Sequence, residues 1–229
     1  MIRNGRYGLI LAIDSASQIA GGILFRSKGE KMMECYGPYV FSHAAIPNLS
    51  EKLIEECLRE VARSHSIGML NRWATESCPK HYFDQLGTFL WVSPDGKEMQ
   101  KTALYRSLEE DLGTVIWTHP ILQETIEGYC ERMDLPRDIR VVGEHQQGLS
   151  GSSVFSAVFD RSLREVTLRP LVSGKDIQAN LISHLKFFER EKIRNIYCQL
   201  DLGQPENVLF MPSLIQEGFK PKVLFPWAG

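Results

Sequence analysis

The predicted fold depends mainly on one stretch of the sequence, residues 166–202, VTLRPLVSGKDIQANLISHLKFFEREKIRNIYCQLDL. Branched and apolar residues predict one strand over 164–173 and another over 195–202. The turn at 174–176 leads into a helix between them. Its buried face is marked by apolar residues at helical spacing: Ile177, Leu181, Ile182, Leu185 and Phe188. A strand, an amphipathic helix and a second strand in this order predict an α/β fold.

The flanking segments extend this pattern on both sides. Residues 153–160 predict a strand that a tight turn at 160–162 joins to the next one. Downstream, 212–218 (PSLIQEG) predicts a short helix that Gly218 ends, and 222–227 (KVLFPW) predicts a last strand. The second half of the chain is therefore expected to run β-β-α-β-α-β.

The first half follows the same order. Strands are predicted at 19–27, 32–42, 67–73 and 88–93. A helix is predicted to start with Asn48 as its N-cap, and 79–87 (PKHYFDQLG) predicts a short helix that Gly87 ends. Helix starts and helix-ending glycines recur at similar offsets in the two halves, which predicts two related units. Coincidence is the alternative, because alternating α/β order is common.

Residues 107–150 differ from both halves. A helix is predicted from Pro120 to Met133, and 145–153 (HQQGLSGSS) is the best candidate for a boundary or exposed loop. The sequence therefore predicts an N-terminal unit at 1–106, a helical connector at 107–150 and a C-terminal unit at 151–229.

The composition is that of a globular protein with no nucleic-acid or membrane signal. The 229 residues include 26 Lys and Arg and 28 Asp and Glu, which give a net charge of −2 and no basic excess for nucleic acid. No apolar run reaches the roughly 20 residues that a membrane span needs. The five cysteines form no C-x-x-C pair and the six histidines lack ligand spacing, so we expect no metal site and a reducing, cytoplasmic compartment.

The order of elements resembles the core of the GNAT superfamily of N-acyltransferases. The resemblance covers roughly 19–93 and 153–227 and depends on the helix ends at Leu86-Gly87 and Gly218-Phe219. It implies an α/β fold of two GNAT-like units with mixed sheets flanked by helices. It also implies that acyl-CoA lies where two neighbouring parallel strands part, with its pyrophosphate on the amides of a helix N-terminus.

The resemblance implies an acyl-CoA site in the loop before the second helix, formed by Val172, Ser173, Gly174 and Lys175. This loop has a glycine, a hydroxyl and a cation, whereas the corresponding loop of the first half, 42–50, has no glycine. Asp176 would repel a pyrophosphate unless it points away as a cap, and both halves lack the family's Gly-x-Gly. An ordinary capped turn is the alternative.

Two residues are predicted to act in catalysis. Asp201 ends the strand at 195–202, where ligands gather in open α/β sheets, and is predicted to accept a proton from the substrate amine. Asn71 resembles the strand-borne asparagine of the family. The alternatives are a turn cap for Asp201 and a strand-end amide for Asn71. The positions of the family's proton-donating tyrosine hold Phe83 and Leu214, which transfer no proton.

Three other residues have reactive side chains. Glu34 and Glu165 lie on predicted strands, and we expect exposed strand-edge carboxylates rather than buried bases. Cys78 precedes a predicted helix, a position that lowers the pKa of a thiol. Because no base partner is identified for it, we expect an ordinary cysteine.

These features predict an enzyme that transfers an acyl group from acetyl-CoA or another acyl-CoA to a small-molecule or peptide amine. The alternative is a non-catalytic GNAT-like module that senses a ligand or binds a protein, as a homodimer or as a domain of a larger bacterial-type signalling protein. A tandem aminoacyltransferase of the peptidoglycan-building type needs a basic groove for tRNA, which the charge balance does not favour. The enzyme hypothesis requires that strands 164–173 and 195–202 part and leave a slot near Ser173.

Overall fold

The computed structural model describes residues 7–28, 31–41, 46–143 and 149–226. The strands are β1 Tyr7–Ile13, β2 Ile19–Lys28, β3 Met32–Val40, β4 Gly68–Asn71, β5 Asp84–Val92, β6 Glu98–Ser107, β7 Thr114–Thr118, β8 Arg137–Val141, β9 Val154–Asp160, β10 Glu165–Val172 and β11 Asn195–Cys198. The helices are α1 Leu49–Ala62, α2 Gln123–Arg132, α3 Ile177–Arg190, α4 Pro205–Val208 and α5 Met211–Gln216. The predicted α/β class, with mixed sheets and flanking helices, is confirmed.

The chain divides into two compact units. The first comprises residues 1–89, 100–111 and 225–229, and the second comprises 90–99 and 112–224. Most of the predicted connector, 112–150, therefore belongs to the second unit. The three-part domain division and the relation of the two halves as a tandem repeat stay predictions.

The first unit contains a mixed sheet with α1 on one face. The strand order is β1-β2-β3-β4-β6-β5, in which β3 and β4 are parallel and β1–β2, β2–β3 and β4–β6 are antiparallel. Apolar side chains of β2 and β3 pack against the apolar stripe of α1 and form its core: Ala20, Ile23, Met33, Cys35, Leu53, Ile54, Cys57 and Val61. Asn48 is the N-cap of α1 as predicted, but its side chain makes no capping hydrogen bond.

The second unit contains two small sheets. Strands β9, β10 and β11 form one, with β10 antiparallel to β9 and parallel to β11. Its core comprises Phe155, Val166, Leu168, Ile177, Leu181, Phe188, Phe210 and Leu214. The parallel pair β7–β8 packs with α2 through Ile116, Ile126 and Cys130.

Two predicted elements are wrong. Lys80–Tyr82 forms only a 3-10 turn, and β5 then runs through Leu86 and Gly87, where a helix end was predicted. The apolar residues of this segment belong to β5, which lies beside β6 in the sheet. The turn between the two strands contains Gly96 at φ +95°, a conformation that favours glycine. The predicted last strand is also wrong, because 222–226 form no strand. Pro226 has no N–H to donate to a neighbouring strand, which disfavours a strand at this place.

The other helix end is confirmed. Gly218 adopts φ +85° directly after α5, the left-handed conformation that favours glycine at a helix C-terminus. Residues 42–45 and 145–148, which carry parts of two predicted loops, lie outside the described residues. Among the helices that the structure describes, none has the length and apolar character to cross a bilayer.

Candidate functional site

The parallel strands β10 and β11 are paired over only half of β10. Their ladder joins 165–168 to 195–198. The last bond runs from the Gln199 amide to the Leu168 carbonyl, at 2.9 Å. Strand β10 continues to Val172, and this end pairs with β9 alone. All four residues of β11 are paired, so the ladder ends where β11 ends, and a slot between the two strands stays a prediction.

A proline explains where the ladder ends. The N–H and C=O of one strand residue point to the same side, and successive residues alternate. Because the Leu168 carbonyl faces β11, the backbone of Pro170 faces it too. Proline has no N–H to donate to the Gln199 carbonyl, so the next bond of the ladder cannot form. The other edge of β10 keeps its pairing with β9 as far as Val172.

One side-chain hydrogen bond joins the two segments where the backbone pairing stops. Arg169 Nε donates to Gln199 Oε1 at 3.2 Å, and Arg169 is exposed. This bond links the start of the gap between the strands without closing the part of β10 that follows. The edge of β10 from Pro170 to Val172 therefore lacks a strand partner on the β11 side.

Asp201 lies in the turn that follows β11. Its Oδ1 accepts a hydrogen bond from the Gly203 amide at 2.9 Å, and its carbonyl accepts one from the Gln204 amide at 3.3 Å. The side chain of Asn207 donates to the same carbonyl at 3.3 Å. These contacts are those of a turn cap, the alternative that the sequence left open, and Asp201 is exposed in this turn.

The four residues predicted to hold acyl-CoA connect β10 to α3. Val172 is the exposed last residue of β10, Ser173 is half-buried, Gly174 is buried and Lys175 is exposed. The Lys175 amide donates to the Ser150 carbonyl at 3.0 Å. A phosphate at this loop would therefore meet the side chains of Ser173 and Lys175 rather than the Lys175 amide.

Gly174 permits a close approach between two parts of the chain's own backbone. A Cβ at this position would lie 2.3 Å from both the carbonyl carbon of Ser152 and the nitrogen of Ser153. Any larger residue would displace the segment 150–153, which runs beside the loop as a parallel bridge. The glycine has a packing reason that the sequence did not reveal.

Asp176 is turned toward this same segment. Its Oδ1 accepts a hydrogen bond from the Ser153 amide at 2.5 Å, and Asn180 Nδ2 donates to the Ser153 carbonyl at 2.9 Å. The hydrogen bond from the Ser153 amide lowers the pKa of Asp176. The carboxylate therefore caps the segment 150–153. In this orientation it points away from the start of α3, as it must if an anion is to bind there without repulsion.

The first unit contains a second parallel pair that parts, β3 and β4. The ladder joins 32–34 to 68–70, and β3 then continues to Val40 without β4. The place of the missing strand is taken by Asn71, at the end of β4, whose Nδ2 donates to the Gly37 carbonyl at 2.8 Å. Asn71 is fully buried, and its Oδ1 accepts from the Trp73 amide at 3.3 Å. The catalytic role of Asn71 stays a prediction, while its contacts are structural.

Two hydroxyl groups complete the filling of this first gap. Thr75 Oγ1 and Ser77 Oγ both donate to the Pro38 carbonyl, at 2.9 Å and 3.0 Å. The carbonyls of Gly37 and Pro38 therefore receive side-chain donors in place of a neighbouring strand. In the second unit, no side chain of the described residues donates to the Pro170 or Leu171 carbonyl.

Three buried cysteines of the first unit have raised pKa values. Cys78 is buried, and burial raises its pKa to about 11. Burial also raises the pKa of Cys57 to about 12 and that of Cys35 well above its ordinary value. A thiol that stays protonated at neutral pH is a poor nucleophile, so the expectation of an ordinary cysteine at Cys78 is confirmed.

The expectation of exposed strand carboxylates is wrong for Glu34. It is only 2% exposed, because β3 is an inner strand and basic side chains from neighbouring segments cover the carboxylate. Glu165 is half-buried and accepts a hydrogen bond from Trp91 Nε1 at 3.3 Å. Burial raises the pKa of Glu165. Within the described ranges, no group of three or more His, Cys, Asp or Glu side chains is arranged to hold a metal ion.

Comparisons with known proteins give fold-level likeness only. No family model matches the sequence, and no curated protein matches it. A structure assigned as a phosphinothricin N-acetyltransferase is 22% identical over 44% of this chain and 72% of its own, with a TM-score of 0.38. An aminoglycoside 6'-N-acetyltransferase complexed with coenzyme A is 12% identical over 47% of this chain and 76% of its own, with a TM-score of 0.37.

A further match is an acetyltransferase of the GNAT family from Staphylococcus aureus. It is 14% identical over 45% of this chain and 68% of its own, with a TM-score of 0.35. Each of these structures covers less than half of the chain, and at these identities and TM-scores they assign no activity and no residue. The chain is thus similar in part to GNAT acetyltransferase structures.

Proposed function

We propose that the second unit binds an acyl-CoA and transfers its acyl group to an amine of a small molecule or peptide. One observation carries the proposal: the ladder between β10 and β11 ends at Leu168, and α3 starts directly beyond the unpaired end of β10. A free strand edge and a helix N-terminus at one place suit a ligand with an amide-containing arm and a phosphate group.

The residues at this place fit an acyl-CoA in part. The Pro170 carbonyl faces the side that β11 has left and suits an amide N–H of the pantetheine arm. The first amides of α3 have no acceptor within the helix, and the helix dipole favours an anion there. The side chains of Ser173 and Lys175 add a hydroxyl and a positive charge. The bond from Ser153 turns the Asp176 carboxylate to the 150–153 segment.

Asp201 is the residue we propose for proton removal from the amine. It is exposed in the turn directly after β11, so a substrate can reach it. Its Oδ1 is held by the Gly203 amide, which fixes the carboxylate in one orientation. A general base needs this combination of access and fixed geometry. The acceptor amine, a homodimer and a cytoplasmic location stay predictions.

A second candidate function is a module that binds an acyl-CoA or related ligand without catalysis. Contacts of the β10–α3 loop favour this function. The Lys175 amide already donates to the Ser150 carbonyl, and the Ser152–Ser153 backbone lies against Gly174. The same loop would then hold fewer phosphate contacts. Binding without turnover distinguishes this function from an acyltransferase.

Calorimetry with acetyl-CoA tests the proposal. We expect saturable heat, and we expect Lys175→Glu to weaken binding about tenfold because it reverses a charge beside the phosphate. Lys186→Glu is the matched control, since Lys186 is exposed on α3 away from the loop and its change leaves binding unaltered. Absence of heat at millimolar acetyl-CoA overturns both candidate functions. Release of free CoA thiol with an added amine supports the enzyme, and loss of that release in Asp201→Asn supports the role of Asp201.

A further inference from the structure

A cluster of charged side chains lies in the first unit on the sheet face opposite α1. Met33 and Cys35 of β3 pack in the core with α1, so Glu34 between them points to the other face. Arg26 of β2 lies directly opposite Glu34 in the register. Arg72 follows the end of β4. The residues of this cluster belong to the first unit, whereas those of the proposed acyl-CoA site belong to the second.

The carboxylate of Glu34 is buried and fully engaged. Its Oε2 accepts hydrogen bonds from Arg26 Nε at 3.1 Å, from Arg26 Nη2 at 2.8 Å and from Tyr36 Oη at 2.7 Å. Its Oε1 lies 2.7 Å from Arg72 Nε. The Glu34 side chain is 3% exposed, against 41% for Arg26 and 24% for Arg72. The arginines therefore reach solvent, while the carboxylate beneath them does not.

The ionisation of the cluster agrees with this geometry. Burial alone raises the pKa of Glu34, but the charge of Arg72 and the hydrogen bonds from Tyr36 and Arg26 outweigh it and leave the pKa lowered. The hydrogen bond with Glu34 raises the pKa of Arg26. Glu34 is therefore a carboxylate at neutral pH.

The two arginines bring one more positive charge than Glu34 neutralises. Arg72 Nε is buried and close enough to Glu34 for an ion pair, yet its N–H is not aligned for a hydrogen bond with any acceptor in the described ranges. A buried charged donor without an acceptor costs free energy. The guanidinium of Arg72 also lies over the ring of Phe225, at 5.5 Å, which limits the directions in which it can reorient.

We propose that Arg26 and Arg72 together bind an oxyanion, a carboxylate or a phosphate group, at this face. Glu34 acts as the positioning residue, since it holds both guanidinium groups by its two oxygens and uses only some of their donors. The remaining N–H groups of two planar guanidiniums match the paired oxygens of a carboxylate or phosphate. Glu34 repels an incoming anion, but its carboxylate is covered by Arg26 and Tyr36, which donate hydrogen bonds to it. The excess positive charge of the two arginines outweighs this repulsion.

Nuclear magnetic resonance of the arginine Nε–H groups tests this site directly. The full chain is titrated with inorganic phosphate in one arm and with acetate in the other, at constant ionic strength. We expect saturable shifts at Arg26 and Arg72 in at least one arm. Arg59 is the internal reference, because it is 58% exposed on α1 and pairs with Glu56 away from the face.

Variants separate this site from the proposed acyl-CoA site. Arg72→Lys keeps the charge but loses the planar fork, and we expect it to weaken anion binding about tenfold. Arg59→Lys and Lys175→Glu leave the binding unchanged. Saturation by phosphate alone identifies a phosphate-bearing ligand, by acetate alone a carboxylate ligand, and by both a general oxyanion site. Shifts that are unsaturated in both arms, or equal at Arg59, overturn the proposal, as does unchanged affinity in Arg72→Lys.

Discussion

The two units each contain a parallel strand pair that separates, and they treat the separation differently. In the first unit, β3 leaves β4 after Glu34 and Leu70, and the side chains of Asn71, Thr75 and Ser77 take the free carbonyls of β3. In the second unit, β10 leaves β11 after Leu168, and Pro170 removes the donor that would continue the ladder. The same topology therefore gives a filled, structural gap in one unit and a free strand edge beside a helix N-terminus in the other.

The largest effect is expected where the gap is filled. Asn71→Leu keeps the branching and the number of side-chain heavy atoms but removes the donor to the Gly37 carbonyl, which then stays buried without its partner. We expect a loss of about 2–4 kcal/mol in the free energy of unfolding. Asp201→Asn, at the exposed turn after β11, is the control and changes stability by less than about 0.5 kcal/mol. Denaturant titration measures both, and equal effects would remove the distinction between the two gaps.

The loop beside the second gap is sensitive to one methyl group. Gly174→Ala places a Cβ against the Ser152–Ser153 backbone, and we expect a loss of about 1–3 kcal/mol in the free energy of unfolding. The control is Gly128→Ala in α2, where nothing lies within 4 Å of the added Cβ. This change stabilises the helix by about 0.5–1 kcal/mol. Thermal unfolding of both variants measures the contrast, and destabilisation by Gly128→Ala alone would contradict it.

Pro170→Ala converts the open gap toward the filled one. The new N–H faces the side of β11 and can donate to the Gln199 carbonyl, a bond worth about 1 kcal/mol, offset by the greater freedom of the unfolded chain. We expect little net change in stability but slow hydrogen exchange at the amide that the substitution introduces, and acetyl-CoA binding weakened about fivefold. Pro212→Ala, in the first turn of α5, is the control for loss of a proline. Rapid exchange at the introduced amide would show that the edge faces elsewhere.

The two hydroxyls of the first gap are expected to compensate for each other. Thr75→Val and Ser77→Ala each remove one donor to the Pro38 carbonyl and leave the other in place. We expect each to cost about 0.5–1 kcal/mol and the double variant to cost more than the sum. A double-mutant cycle of unfolding free energies measures this coupling. Strict additivity would mean that the carbonyl does not depend on the pair.

The smallest expected effect is a difference in how stability depends on pH. It compares Glu34, where β3 pairs with β4, with Glu165, where β10 pairs with β11. The pKa of Glu34 is lowered, so its contribution is present at neutral pH and is lost as the pH falls through its folded pKa. The pKa of Glu165 is raised by burial, so its charged form costs stability at neutral pH and that cost disappears on acidification.

Glutamine variants measure these two contributions. Glu34→Gln is expected to destabilise the chain at pH 7 and to have less effect in acid, whereas Glu165→Gln stabilises it at pH 7 by a few tenths of a kcal/mol, a value reduced by solvent exposure. Unfolding free energies at pH 7 and pH 4 compare the two variants. The same sign for both at pH 7 would contradict the assignment.

The sequence predicts the elements that have strong periodicity. The stripe from Ile177 to Phe188 lies on α3, and the helix end at Gly218 is found where it was predicted. The predicted helix end at Gly87 was wrong, because glycine also occurs within strands. Only the pairing with a later strand distinguishes a glycine inside a strand from one that ends a helix. That later strand, β6, carries too few strongly apolar residues at its start to be recognised alone.

The sites were harder to predict than the fold, because they depend on contacts distant in the sequence. Asp201 was predicted at the end of a strand over 195–202, but β11 ends at Cys198 and Asp201 lies in the turn that follows, where its turn-cap alternative has direct contacts. The burial of Glu34 depends on Arg72, which is remote in the chain. Pro170 was a local signal that the sequence already contained, since a proline inside a strand predicts an unpaired edge.

Amide chemical shifts during titration with acetyl-CoA observe both gaps in one experiment and show which of them binds the ligand. We expect saturable shifts at Leu171 and at the first turn of α3, residues 177–179, with none at the first turn of α1, residues 49–51. Shifts confined to α1, or none anywhere at millimolar acetyl-CoA, would contradict the claim that the free edge of β10 is the ligand site.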